Sequence, residues 1–207
     1  MELLGRRIES KYRKRGDARK WALLYSPAYT LDGSPVAFIS LNPGGDKAPE
    51  GPSDVAREKG SAYCDTNWRE DGKLAPLQIQ VCLLFEQLGI KPENVLAGNL
   101  VPFRSANWKT LQKRRDALEF GKALWLELLD RAEPRHVIVN GVIEPASTLA
   151  RALEVKERVD VPINWGRVHG WRGRCRYGTF TALPHLSHYK IMARPKSRDA
   201  LNQLLVP

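Results

Sequence analysis

Short apolar runs that each give way to polar residues set the architecture this chain can adopt. They are Val36-Ala37-Phe38-Ile39-Ser40, the stretch from Asn94 to Val101, His136-Val137-Ile138-Val139-Asn140, and Tyr177 to Ala182. Each is too short for a helix and has the composition of a buried strand. Between them lie segments with apolar residues at helical spacing. Leu77, Val81, Leu84, Phe85 and Leu88 form one, stopped by Gly89; Leu118, Leu124, Leu128 and Leu129 mark another across 111–132. Strand and helix signals in alternation predict an α/β fold. A basic amphipathic helix is expected from Leu3 to Lys14, a further helix over 144–153 and a closing one over 197–205. Residues 161–182 read as extended segments with a turn near Arg172-Gly173-Arg174. The stretch 42–72 is polar and rich in Gly, Pro and Asp, and a loop that long in a compact domain is usually functional. The 207 residues are expected to form a single domain.

Charge narrows the partner. Lys and Arg total 33 against 23 Asp and Glu, a net charge of +10. The excess is clustered: Arg6, Arg7, Lys11, Arg13, Lys14, Arg15, Arg19 and Lys20 near the start, and Arg104, Lys109, Lys113, Arg114 and Arg115 further on. From Val161 to Arg198 there is no acidic residue. Such clustering suits a polyanion, because each neutralised phosphate releases condensed counterions; the plainer alternative is a soluble basic surface. Cys64, Cys82 and Cys175 are widely spaced and form no CxxC pair, so free thiols are expected. No apolar run approaches a membrane span and no signal-peptide core is visible, so a cytoplasmic protein without membrane contact is expected.

Three loops carry the chemistry. Asn42-Pro43-Gly44-Gly45-Asp46 follows the first strand; its proline and glycines predict a tight turn, and its amide could hold a water and a carbonyl together. Asn99 interrupts an apolar strand in Gly98-Asn99-Leu100-Val101-Pro102-Phe103-Arg104. A buried amide without partners costs about 1–3 kcal/mol, so it is either satisfied internally or pairs with a flat polar ring. Phe103 and Arg104 follow, where stacking and phosphate contact would be useful. His185-Leu186-Ser187-His188-Tyr189-Lys190 follows the last apolar run. There an imidazole can donate to developing charge, a hydroxyl can bond a phosphate, and Leu186, His188 or Tyr189 could wedge into a base stack. In an open α/β sheet, ligands bind at the carboxyl ends of the strands, where these loops would meet. No zinc-ligand spacing, P-loop, G-x-G-x-x-G or G-x-S-x-G occurs. Trp68 and Trp108, in polar segments, could stack on bases.

In order and spacing, Leu41-Asn42-Pro43-Gly44, Gly98-Asn99-Leu100-Val101-Pro102 and His185-Leu186-Ser187 resemble three motifs of the uracil-DNA glycosylase superfamily. The first takes the Asn-Pro-Gly form, and the last has Leu where the family usually has Pro. His136 to Gly141 also looks like the family's penultimate strand and turn. The resemblance spans roughly 36–190. It implies a three-layer αβα fold around a central, mostly parallel four-stranded sheet, and a monomer that hydrolyses the N-glycosidic bond of a base extruded from DNA, without a cofactor. It implies that Asn42 positions water, that His185 stabilises charge on the departing base, and that Asn99, Gly44, Tyr63 and Phe103 hold the base. Ser187, His188, Tyr189, Lys190 and Arg104 would grip DNA. Asn42 stands where the strongest uracil-removing branch has Asp; Asp46 or Asp65 could supply a carboxylate instead. Tyr63 or Trp68 could stack on the base. The substrate is left open between uracil, mismatched thymine and a modified cytosine, in repair or in defence against viral DNA. A non-catalytic DNA or modified-base binder, or an unrelated nucleoside hydrolase, are the competing readings.

Overall fold

In the computed structural model, which describes residues 1–45 and 53–206, the chain builds one six-stranded mixed sheet with helices packed on both faces. The strands are β1 (Val36–Ser40), β2 (Leu96–Asn99), β3 (His136–Asn140), β4 (Lys156–Pro162), β5 (His169–Cys175) and β6 (Gly178–Leu183). The helices are α1 (Glu2–Arg15), α2 (Ala62–Asp65), α3 (Pro76–Gln87), α4 (Arg114–Ala132), α5 (Ala146–Ala152) and α6 (Arg198–Leu205). No helix is long and apolar enough to cross a membrane.

The sheet order is β2-β1-β3-β6-β5-β4. β2, β1, β3 and β6 are parallel; β5 and β4 extend the sheet antiparallel. The four-stranded expectation is therefore corrected to six strands. The missed strand, β4, is exposed at all but one position, so its sequence lacks an apolar run. The turn expected at Arg172-Gly173-Arg174 is strand instead: Gly173 lies in β5, paired with Phe180, and the reversal to β6 falls after Cys175. A Cβ on Gly173 would approach the Lys156 carbonyl to 2.6 Å, so this glycine serves close strand packing rather than a turn.

Alternation along the parallel strands divides the core. Ala37, Ile39, Val137, Val139, Phe180 and Ala182 meet Ile8 of α1, Leu124, Trp125 and Leu128 of α4 and Leu149 of α5. Val36, Phe38, Ile138 and Leu183 point the other way, against Tyr63, Leu84, Phe85, Leu201 and Leu204 from α2, α3 and α6. Strands buried on both faces read as continuous apolar runs, which is why they were visible in the sequence.

Cys64 of α2 and Cys82 of α3 are disulfide-bonded, with Cα atoms 6.1 Å apart; Cys175 is free. The expectation of three free thiols is thus corrected. Their separation of 18 residues carried no pairing signal; packing of α2 on α3 brings them together.

The N-terminal basic cluster is largely spent on structure. Arg6 pairs with Glu2, Arg7 with Glu127, Lys11 with Asp116 and Arg13 with Glu9. Arg15 is buried. It pairs with Asp17 and Asp116, donates to the Gln112 and Lys113 carbonyls, and faces the Phe103 ring at 4.6 Å.

Candidate functional site

β1 connects outward to β2 on one side, while β3 and β6 lie on the other. The strand order reverses at β1, the point at which an open α/β sheet places its ligand, beside the carboxyl ends of β1 and β3. The last residues of the parallel strands form a row there. Ser40 is in register with Asn99, and Asn140 with Leu183. Ser40, Asn99 and Asn140 are all buried, an unusual density of polar groups for a core.

Their hydrogen bonds tie the loops together. Tyr63 Oη and Ser40 Oγ are 2.9 Å apart, and Asn140 Nδ2 donates to Ser40 Oγ at 3.3 Å. Asn140 Oδ1 accepts the Leu186 backbone N–H at 2.8 Å. Gly141 N–H donates to the Leu183 carbonyl, fixing the chain reversal beside it. One buried amide thus clamps the loop after β6 to the end of β1. Two strand spacings separate these ends, roughly 10 Å.

On the β1 side, Asn42 Nδ2 donates to Ser105 Oγ at 2.9 Å, to the Pro43 carbonyl at 3.1 Å and to the Phe103 carbonyl at 3.4 Å. Ser105 N–H returns a bond to the Pro43 carbonyl, so this loop and the one after β2 form a single unit. Arg104 donates to the Gly44 carbonyl; Gly44 itself is exposed and its side has open space.

On the β6 side, His185 Nδ1 accepts from the Ser187 backbone N–H at 3.3 Å and lies 2.7 Å from Ser187 Oγ. A backbone N–H can only donate, so Nδ1 is the acceptor and the neutral ring carries its proton on Nε2. Burial, helped by the neighbouring His188, pushes the His185 pKa down to about 4. His185 is therefore a neutral donor at pH 7. Ser187 positions His185 and also approaches His188 Nδ1 at 3.2 Å. His188 and Lys190 are exposed. Tyr189 is half-buried, edge-on to Trp165 at 5.9 Å. Leu186 is fully buried in the core, which corrects its expectation as a wedge.

Asn99 is 1 % exposed; its Nδ2 makes no well-formed hydrogen bond among the described residues but interacts with a neighbouring tyrosine hydroxyl. Its backbone carbonyl accepts from Trp125 Nε1 and its N–H donates to the Leu23 carbonyl. Beside it stands Tyr25, which the sequence reading missed. The Tyr25 hydroxyl lies near the Asn99 amide and the Arg104 guanidinium, and burial raises its pKa. Tyr25 arrives on an extended segment that bridges Leu24 to Gly98. A Cβ on Gly98 would come within 2.4 Å of the Leu23 carbonyl, so only glycine admits this approach. The Tyr25 ring meets Tyr63 at 5.3 Å and Trp68 at 5.8 Å, and Tyr63 meets Trp68 at 5.5 Å. Tyr63 is fully buried beneath this cluster, its own pKa raised by burial, which corrects its expectation as a base contact; Trp68, 37 % exposed, is the accessible face.

Phe103 is corrected as a base contact. Its ring is fully buried between Tyr12 and Phe120, in the core that also holds Leu100 and Val101, across the sheet from Tyr63. Trp108 is half-buried against that same core. Asp65 is spent locally, accepting the Ser61 N–H at the start of α2. Asp46 lies outside the described residues. No protein-family model and no curated protein matches this chain.

Proposed function

We propose that this chain is a monofunctional DNA glycosylase that acts on a base extruded from the helix. The observation that carries the reading is the buried Tyr63–Ser40–Asn140–Leu186 hydrogen-bond chain, which joins the loop of His185 to the end of β1, two residues before Asn42. A parallel four-strand core flanked by helices agrees with the resemblance to the uracil-DNA glycosylase superfamily.

The chemistry follows from the groups present. When the bond between the sugar C1′ and the base nitrogen breaks, its electron pair stays on the base. His185 Nε2–H, a neutral donor, stabilises that charge through a base oxygen. With Asn42 Nδ2 committed to three oxygens, Oδ1 orients the water that attacks C1′, and the water's proton passes to solvent. Asn99 Nδ2, next to the Tyr25 hydroxyl at the end of β2, donates to the base edge. Trp68 stacks on the ring. Extrusion itself costs a few kcal/mol, offset by phosphate contacts from the basic surface.

The test is incubation with duplexes carrying uracil, mismatched thymine or modified cytosines, followed by alkali. Strand breaks at the target base are expected, with His185→Ala slower by about 100- to 1000-fold. No abasic product on any of these substrates defeats the proposal. One observation favours a binding module instead: Asp65, a candidate to activate water, is engaged by the Ser61 N–H. In that case His185→Ala and Asn42→Ala variants keep DNA affinity, and the wild-type protein releases no base.

A further inference from the structure

An open cleft of about 900 Å³ lies away from the His185 loop, lined by Lys109, Lys113, Arg114, Arg115, Asp116 and Glu119. Lys109 sits in a one-turn helix (Trp108–Thr110) whose start is capped by Asn107. Lys113 to Arg115 begin α4. All four cations are exposed, and none is in an ion pair among the described residues. The two acids offset them only in part, Glu119 acting on Arg115. Asp116 is held by Lys11 and Arg15, which keep its pKa below the usual carboxylate range, and Glu119 is paired with Lys122. Here the charge differs from that of α1, where Arg6, Arg7, Lys11 and Arg13 are each matched by an acid. Lys109, Lys113 and Arg114, which have no acid partner among the described residues, leave a surface complementary to a run of phosphates.

The cleft is also mechanically continuous with the candidate site. The segment that carries it begins at Ser105, which is bonded to Asn42, and at Arg104, bonded to Gly44. It ends at Gln112 and Lys113, whose carbonyls are held by the buried Arg15. Residues 104–113 are therefore pinned at both ends, and the segment joins the cleft to the loop that carries Asn42.

We propose that this cleft grips the sugar-phosphate backbone of the DNA strand flanking the extruded nucleotide. The identity of the polyanion rests on the glycosylase reading. The contact is sequence-independent, so it supplies affinity and register rather than base choice.

The test is fluorescence anisotropy of a labelled uracil-containing DNA, double- and single-stranded, across a salt series, with base release measured in parallel. The variant Lys109→Gln/Arg114→Gln/Arg115→Gln removes three exposed charges, and Arg6→Gln is the control. Each lost phosphate contact should flatten the slope of log K against log salt by about 0.9 on duplex and about 0.7 on single strand. The triple variant is thus expected to flatten it by about 2–3 and the control hardly at all. Arg114→Gln alone, expected to change the slope by somewhat under one, covers the case of a triple variant that folds poorly. An unchanged slope with base release intact overturns this inference and leaves the glycosylase reading standing. A flattened slope with no base release from any substrate upholds the cleft as a DNA contact and defeats the glycosylase reading. Tighter binding to RNA of the same sequence, lost in the triple variant, overturns DNA as the occupant.

Discussion

Replacing Asn140 by alanine should destabilise the protein by about 2–4 kcal/mol and loosen the His185 loop. Asn140 is fully buried and makes two side-chain bonds that join β1 to the loop after β6. Truncation strands the N–H of Leu186, itself fully buried, at a cost of about 1–3 kcal/mol. Ser40 Oγ loses one hydrogen bond worth about 0.5–1.5 kcal/mol but keeps Tyr63. Urea denaturation of wild type and variant measures the sum from the midpoint shift at constant slope. A cycle with Ser40→Ala separates the two parts: the pair should couple by about 1 kcal/mol, while the Leu186 share persists in either background. Hydrogen exchange gives a local reading, because the Leu186 amide should lose protection while amides in β1 keep theirs. A loss below about 1 kcal/mol, or no coupling between Ser40 and Asn140, would refute the clamp.

Three further outcomes are expected. His185 should titrate near pH 4 by NMR; because this lies below the unfolded value near 6.5, its stabilising effect is full above pH 6.5 and is lost as pH falls towards 4, and titration near 6.5 would contradict its burial. Gly98→Ala should cost about 1–3 kcal/mol and alter the near-ultraviolet circular dichroism of the Tyr25–Tyr63–Trp68 cluster, since its Cβ would meet the Leu23 carbonyl at 2.4 Å; an unchanged spectrum would contradict the close approach. Dithiothreitol should lower stability by about 3 kcal/mol and raise the thiol count under denaturing conditions from one to three, because the Cys64–Cys82 bridge closes a loop across 18 residues; three thiols without reductant would refute the bridge.

Apolar runs and helical periodicity were enough to locate β1, β3 and α3 almost to the residue, because buried parallel strands and amphipathic helices both write burial into local spacing. The same logic failed for β4, which is exposed and held by pairing to β5, and for Gly173, where close packing looks like a turn. Within the candidate site, Asn42, Asn99 and His185 were legible because each is a polar residue at the end of an apolar run. Tyr25 was not, since its position depends on an extended segment crossing Gly98. Nor could local sequence assign Phe103 to the opposite face, Leu186 to the core, or Cys64 to Cys82.

By itself, then, the chain determined the buried strands, the long amphipathic helices and the polar groups at strand ends, since those properties depend on neighbours a few residues away. Tertiary structure alone decided which strand ends meet, which cations are neutralised and which are left bare. Those outcomes depend on partners such as Asn140 and Leu186, 46 residues apart, or Arg15 and Gln112, 97 apart, and no local pattern encodes such pairings.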